Sequence, residues 1–125
     1  MEKRQYPRVK TCNLISFVGM GSNGKISEQN MGKALNISQS GIFLETPKRV
    51  LSESISMISV DALSNLIEIK GQVIYSVERS NGCFGLGVRF KGSHAENVHF
   101  AKKLIKAYIA EKHKTAPAAN LQAAV

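Results

Sequence analysis

From Val9 to Phe90 the apolar residues fall in short alternating runs broken by turn-forming residues, and no stretch is regular enough for a central helix. That is the pattern of an all-β region. Six strands are expected. The first covers Thr11 to Val18 and ends in the glycine-rich run Gly19 to Gly24, which is followed by a polar, unpatterned stretch from Ile26 to Gly32. The second covers Met31 to Ile37, the third runs from Gly41 to Thr46 before Pro47 stops it, and the fourth spans Ile55 to Val60. The fifth alternates most clearly: Ile67, Ile69, Gly71, Val73, Tyr75 and Val77 are assigned to the core face, and Glu68, Lys70, Gln72, Ile74, Ser76 and Glu78 to the wet face. Ser80-Asn81-Gly82 is a hairpin turn of residues that tolerate positive φ. The sixth strand then places Phe84, Leu86, Val88 and Phe90 on one side and Gly85, Gly87 and Arg89 on the other. Two glycines on one face leave room for a close neighbour, either a ligand or another part of the chain.

After Gly92 the period lengthens. Ser93 and Glu96 form a capping box, and Val98, Ala101, Ile105 and Tyr108 recur at helical spacing, so a helix over about 94–113 is expected to lay this stripe on the sheet. Residues 115–125 are mostly small and contain Pro117, and are expected to form a flexible tail. Six antiparallel strands with one terminal helix close naturally as a small barrel, which removes exposed sheet edges. The 125 residues then form one domain over 1–114, with an N-terminal arm (1–10), a barrel (about 11–92) and the helix.

Composition narrows the partners. A hydrophobic share of 43% supports a folded core, and a net charge of +8 favours polyanions such as nucleotides, nucleic acid or anionic lipid. One basic group opens the chain (Lys3, Arg4, Arg8, Lys10); a later one (Lys102, Lys103, Lys106, Lys112, Lys114) reads as the solvated face of the helix. No apolar run approaches the ~20 residues of a membrane helix, and Met1-Glu2-Lys3-Arg4 leads into no signal-peptide core, so a cytoplasmic protein without a membrane partner is expected. Cys12 and Cys83 are far apart, form no metal-binding pair and are expected to be buried thiols.

The segment Gly19-Met20-Gly21-Ser22-Asn23-Gly24-Lys25 matches GxGxxG literally. A phosphate-cradling loop needs a helix starting at the loop, and Ile26 stands where a P-loop requires Ser or Thr, so a hairpin loop is the better reading. His94, His99 and His113 lack metal-site spacing, Asp61 is the only aspartate, and no nucleophile, base and orienting acid can be grouped. No catalytic residue and no metal are assigned; the protein is expected not to be an enzyme.

Two segments remain. Arg4-Gln5-Tyr6-Pro7-Arg8 carries two arginines four positions apart, and by itself reads as a solvated basic terminus. Asn36-Ile37-Ser38-Gln39-Ser40-Gly41 by itself reads as a turn in which Asn and Ser bond local backbone and Gly41 takes positive φ. In this order they resemble the signature of the PilZ domain family, RxxxR followed by [D/N]xSxxG. The resemblance continues through Gly41-Ile42-Phe43-Leu44-Glu45-Thr46, Lys70-Gly71-Gln72-Val73-Ile74-Tyr75 and Gly85-Leu86-Gly87-Val88-Arg89-Phe90, about residues 4–110 in all.

The resemblance implies a six-stranded antiparallel PilZ-type β-barrel with a C-terminal α-helix, and a bacterial receptor for the second messenger cyclic di-GMP that needs no cofactor. It assigns Arg4 and Arg8 to phosphate and guanine contacts, Asn36 and Ser38 to hydrogen bonds with the ligand, and Gly41 to the turn that presents them; Lys3 and Gly87 are possible accessory residues. A guanidinium suits this ligand because its planar fork serves both phosphate oxygens and the O6/N7 edge of guanine. Binding would fold the arm over the barrel, and the signal would pass in trans to a downstream protein, from a monomer or a homodimer. Two alternatives stand beside this reading: a basic barrel for single-stranded nucleic acid, disfavoured by an aromatic content of 6% without Trp, and a protein-interaction scaffold that has lost the nucleotide.

Overall fold

The computed structural model describes residues 8–21 and 23–124. Six antiparallel strands, β1 (Val9–Met20), β2 (Ile26–Ile37), β3 (Gly41–Thr46), β4 (Ser54–Val60), β5 (Leu66–Glu78) and β6 (Phe84–Phe90), are followed by helix α1 (His94–Ala124). The strands close in the order β1-β2-β3-β6-β5-β4. Alternation drives this closure: Ile15, Phe17, Ala34, Ile37, Leu44, Ile55, Met57, Leu86 and Val88 point inward and are buried, so each strand gives one face to a shared interior.

Several boundaries differ from expectation. β2 begins at Ile26, because the polar stretch pairs with β1 from Met20↔Ile26 onward in a long hairpin. Much of that segment is exposed, so burial imposes little apolar alternation on it. Gly21–Lys25 is the hairpin turn, closed by Gly21 N–H to Lys25 O (2.9 Å) and Gly24 N–H to Gly21 O (2.9 Å), with Gly24 at φ +79°. At the other end α1 continues to Ala124 through Pro117, past the boundary expected near 113. Its later part is rich in alanine, the best helix former.

A bulge between Lys10 and Asn13 turns Thr11 inward, where its hydroxyl donates to Ala34 O at 2.9 Å. Cys12 is therefore exposed rather than buried, and Cys83 is half-buried. A second bulge, between Val73 and Tyr75, reverses the facing of β5. Ile67, Ile69 and Gly71 lie inside as expected, but Tyr75 (44% exposed) and Val77 (43%) lie on the outer surface.

Helix α1 packs against β1, β4 and β5. Its buried stripe is Phe100, Ala101 and Leu104, with Val98, Ile105 and Tyr108 only partly covered, so the packed face is rotated from the one expected. Phe100 meets Phe90 edge-on at 5.5 Å between ring centroids. The capping box forms: Ser93 N–H donates to Glu96 Oε1 (2.8 Å) and Glu96 N–H to Ser93 Oγ (3.2 Å). Ser93→Ala is expected to lower stability by about 1 kcal/mol, a fall of roughly 4 °C in thermal denaturation.

Asp61 ties the β4–β5 loop together and to the helix. Its carboxylate accepts N–H bonds from Asn65 (2.8 Å) and Leu63 (2.9 Å) and lies 3.5 Å from Lys103 Nζ. The Asn65 backbone bond leads in holding its pKa below the usual value; the Leu63 bond and the Lys103 charge add to it, while burial opposes them. A depressed folded-state pKa means the stabilisation is complete above the ordinary aspartate range and is lost as pH falls through that range to the lower folded value. The melting temperature should therefore drop across that acid window, and Asp61→Asn should shrink the drop.

Candidate functional site

Where β2 passes into β3 the chain makes a tight turn built by one hydroxyl. Ser38 N–H donates to Gly41 O (2.9 Å), and Ser38 Oγ accepts N–H bonds from Gly41 (3.2 Å) and Ser40 (3.3 Å). Ser38 Oγ also lies 3.3 Å from Ser40 Oγ and can donate to Gly41 O at 3.4 Å. The hydroxyl is thus engaged in shaping the turn, which leaves the exposed Ser40 as its outward-facing neighbour.

Gly41 does not take the positive φ expected of it; among the described residues the glycines that do are Gly24 and Gly82. It is an extended strand residue paired with Arg89. The reason for glycine is proximity, since a Cβ at position 41 would collide with the backbone carbonyl oxygen of Val88.

The turn borders a shallow groove of about 220 Å³ on the outside of the barrel, whose lining includes Arg8, Asn36, Ser38, Ser40, Gly41, Tyr75, Gly87 and Arg89. Arg8 reaches it because it immediately precedes β1, whose first pairs, Val9↔Ile37 and Lys10↔Asn36, set it beside the end of β2. Four of the five motif residues expected from sequence are therefore together. The fifth, Arg4, and the accessory Lys3 lie outside the described residues.

The register of β3, β6 and β5 explains the rest of the wall. One outward row is Gly41, Arg89 and Gln72; the next is Phe43, Gly87 and Tyr75. The neighbour for which the β6 glycines leave room is aromatic: a Cβ at Gly87 would strike the Tyr75 ring, and one at Gly85 the Phe43 ring. These two rings lie 6.3 Å apart, tilted by 31°. Sequence reasoning placed Tyr75 in the core and gave Arg89 no role in the site. The bulge that turns Tyr75 outward has no signature in residue type, whereas Arg89 was already legible as an outward-facing charge beside two glycines.

Larger hollows exist elsewhere: about 540 Å³ between β5 and α1, and about 600 Å³ between the 61–65 loop and α1. Neither contains a residue of the two motifs. Among the described residues there is no cluster of three or more His, Cys, Asp or Glu that could hold a metal, and no helix is long and apolar enough to cross a membrane.

The family model for the PilZ domain matches residues 2–111. The chain belongs to the PilZ domain family. No curated protein matches the chain in sequence. Among solved structures, the PilZ domain of YcgR from Escherichia coli, determined with c-di-GMP, is similar with a TM-score of 0.62 at 12% identity, over 93% of this chain and 98% of that one. The K. pneumonia MrkH–c-di-GMP complex gives 0.63 at 17%, over 92% and 56%. The Bacillus subtilis inhibitor of motility MotI/DgrA gives 0.60 at 15%, over 91% and 54%, so the chain spans about half the length of these latter two. At such identities the likeness is one of fold, and the closed barrel with its C-terminal helix is the PilZ fold.

Proposed function

We propose that this PilZ protein is a receptor for cyclic di-GMP and that the groove at the β2–β3 turn is its binding surface. The observation that carries the reading is that Arg8 and the Asn36–Gly41 turn, distant in sequence, line one groove beside an exposed aromatic ring. The family and the titles of its structural neighbours support the choice of nucleotide.

Each group has a task that suits such a ligand. The Arg8 guanidinium offers a charged planar fork to phosphate oxygens or to the O6/N7 edge of a guanine. Asn36 brings an amide, with donors and an acceptor, to the same wall. Ser38 holds the turn in shape, Gly41 lets it approach β6, and Tyr75 presents a flat face to a base. A groove of about 220 Å³ is smaller than the ~300–1,000 Å³ of typical ligand pockets, so a dinucleotide needs a further wall. The segment carrying Arg4 is the proposed wall: it closes over the ligand, and the surface so created passes the signal to a partner protein in trans. Binding is thereby coupled to a change of surface.

Calorimetry with cyclic di-GMP tests the reading and returns stoichiometry as well. A saturable heat is expected. No heat and no melting shift at saturation would overturn it, and a stronger, steeply salt-dependent response to a single-stranded oligonucleotide would favour a nucleic-acid barrel instead.

A further inference from the structure

The remaining arginines of the barrel differ in one respect. Arg49 Nη2 meets Glu78 Oε1 at 2.8 Å and Arg79 Nε meets Glu45 Oε2 at 3.1 Å, so each cation has a carboxylate. Arg89 instead donates from Nη2 to the side-chain carbonyl of Gln72 at 2.9 Å. The amide orients the guanidinium without cancelling its charge. The pair stands on the outer surface across from Gly41, and Arg89 lines the groove.

The hydrogen-bonding character of this corner is weighted toward donors. Gln72 Oε1, the one acceptor atom of the two side chains, already accepts from Arg89, while the Gln72 NH2 group and the other guanidinium N–H groups supply several donors. A surface of donors complements an edge of acceptors. Guanine presents O6 and N7, both acceptors, along its Hoogsteen edge; adenine sets an N6 amino donor beside N7. A bare cation would favour any phosphate, but a fixed array of donors also discriminates between these bases.

We infer that Arg89, oriented by Gln72, is a specificity-determining residue that reads the Hoogsteen edge of a guanine and rejects adenine. This rests on the groove being the cyclic di-GMP site and goes beyond the two sequence motifs, which contain neither residue. Gln72 acts as a positioning residue.

The test is calorimetric titration of the full chain with cyclic di-GMP and with cyclic di-AMP, for the wild type, Arg89→Ala, Gln72→Glu and Arg8→Ala. The wild type should prefer the guanine dinucleotide. Arg89→Ala should weaken cyclic di-GMP binding on the order of 5- to 100-fold while leaving cyclic di-AMP nearly unchanged, so the preference collapses. Gln72→Glu, which gives Arg89 a carboxylate, should act in the same direction. Arg89 and Gln72 are at the surface, so the melting temperature reports any folding defect separately. Equal weakening toward both dinucleotides, or an unchanged preference, overturns the assignment while the receptor reading stands on the wild-type and Arg8→Ala titrations. A wild type that binds neither overturns both.

Discussion

Arg8→Ala is expected to reduce the affinity for cyclic di-GMP by roughly 10- to 100-fold, because a charge-assisted bidentate contact is worth about 1.5–3 kcal/mol. Arg8 is exposed, immediately precedes β1 and lines the groove, so its removal would take away the proposed ligand contact and leave the barrel core intact. The melting temperature of the free protein should stay within about 2 °C of the wild type, since surface substitutions usually change stability by no more than ~0.5 kcal/mol. Arg8→Lys should recover only part of the loss, since lysine keeps the charge but lacks the fork. Calorimetry on the three proteins distinguishes charge from geometry. Unchanged affinity in Arg8→Ala would remove Arg8 from the site.

Gly41→Ala should damage the fold and the site together. The new Cβ would press on the Val88 carbonyl oxygen, a backbone atom that cannot rotate away, so β3 and β6 must separate where their pairing begins. Overpacking of this kind costs about 1–3 kcal/mol, or roughly 4–12 °C of melting temperature in a domain of this size. The same shift would disturb the Ser38–Gly41 bonds and the Phe90 N–H to Ser40 O bond (2.9 Å), which fix the turn on the barrel. Thermal denaturation and cyclic di-GMP titration should therefore fall in parallel. Wild-type stability in this variant would show that position 41 tolerates a side chain.

The two substitutions illustrate which parts of the site were legible beforehand. Arg8, Asn36, Ser38 and Gly41 could be named from two short motifs, and the groove contains all four. Their tasks were less legible. Ser38 is engaged with the turn's own backbone, and Gly41 answers a packing constraint across β6 rather than a left-handed conformation. Tyr75 was misplaced because strict alternation along β5 carries it inward, and a single extra residue near Ile74 reverses the parity. The helix stripe shifted in a similar way: Phe100 and Leu104 are as apolar as Val98 and Ile105, and only contact with Phe90 and the barrel chooses between the two faces.

Local chemistry thus determined, on its own, the strand count, the hairpin turns, the helix cap and the family signature. Each of these depends on residues close together in the chain, through alternation, backbone preference or a side chain bonding a neighbouring N–H. The three-dimensional fold decided the strand order, the positions of the bulges, and the meeting of Arg8, the β2–β3 turn, Tyr75 and Arg89 around one groove. Those are outcomes of register between strands distant in sequence, and register follows from which pairing lets all six strands bury their inner faces at once.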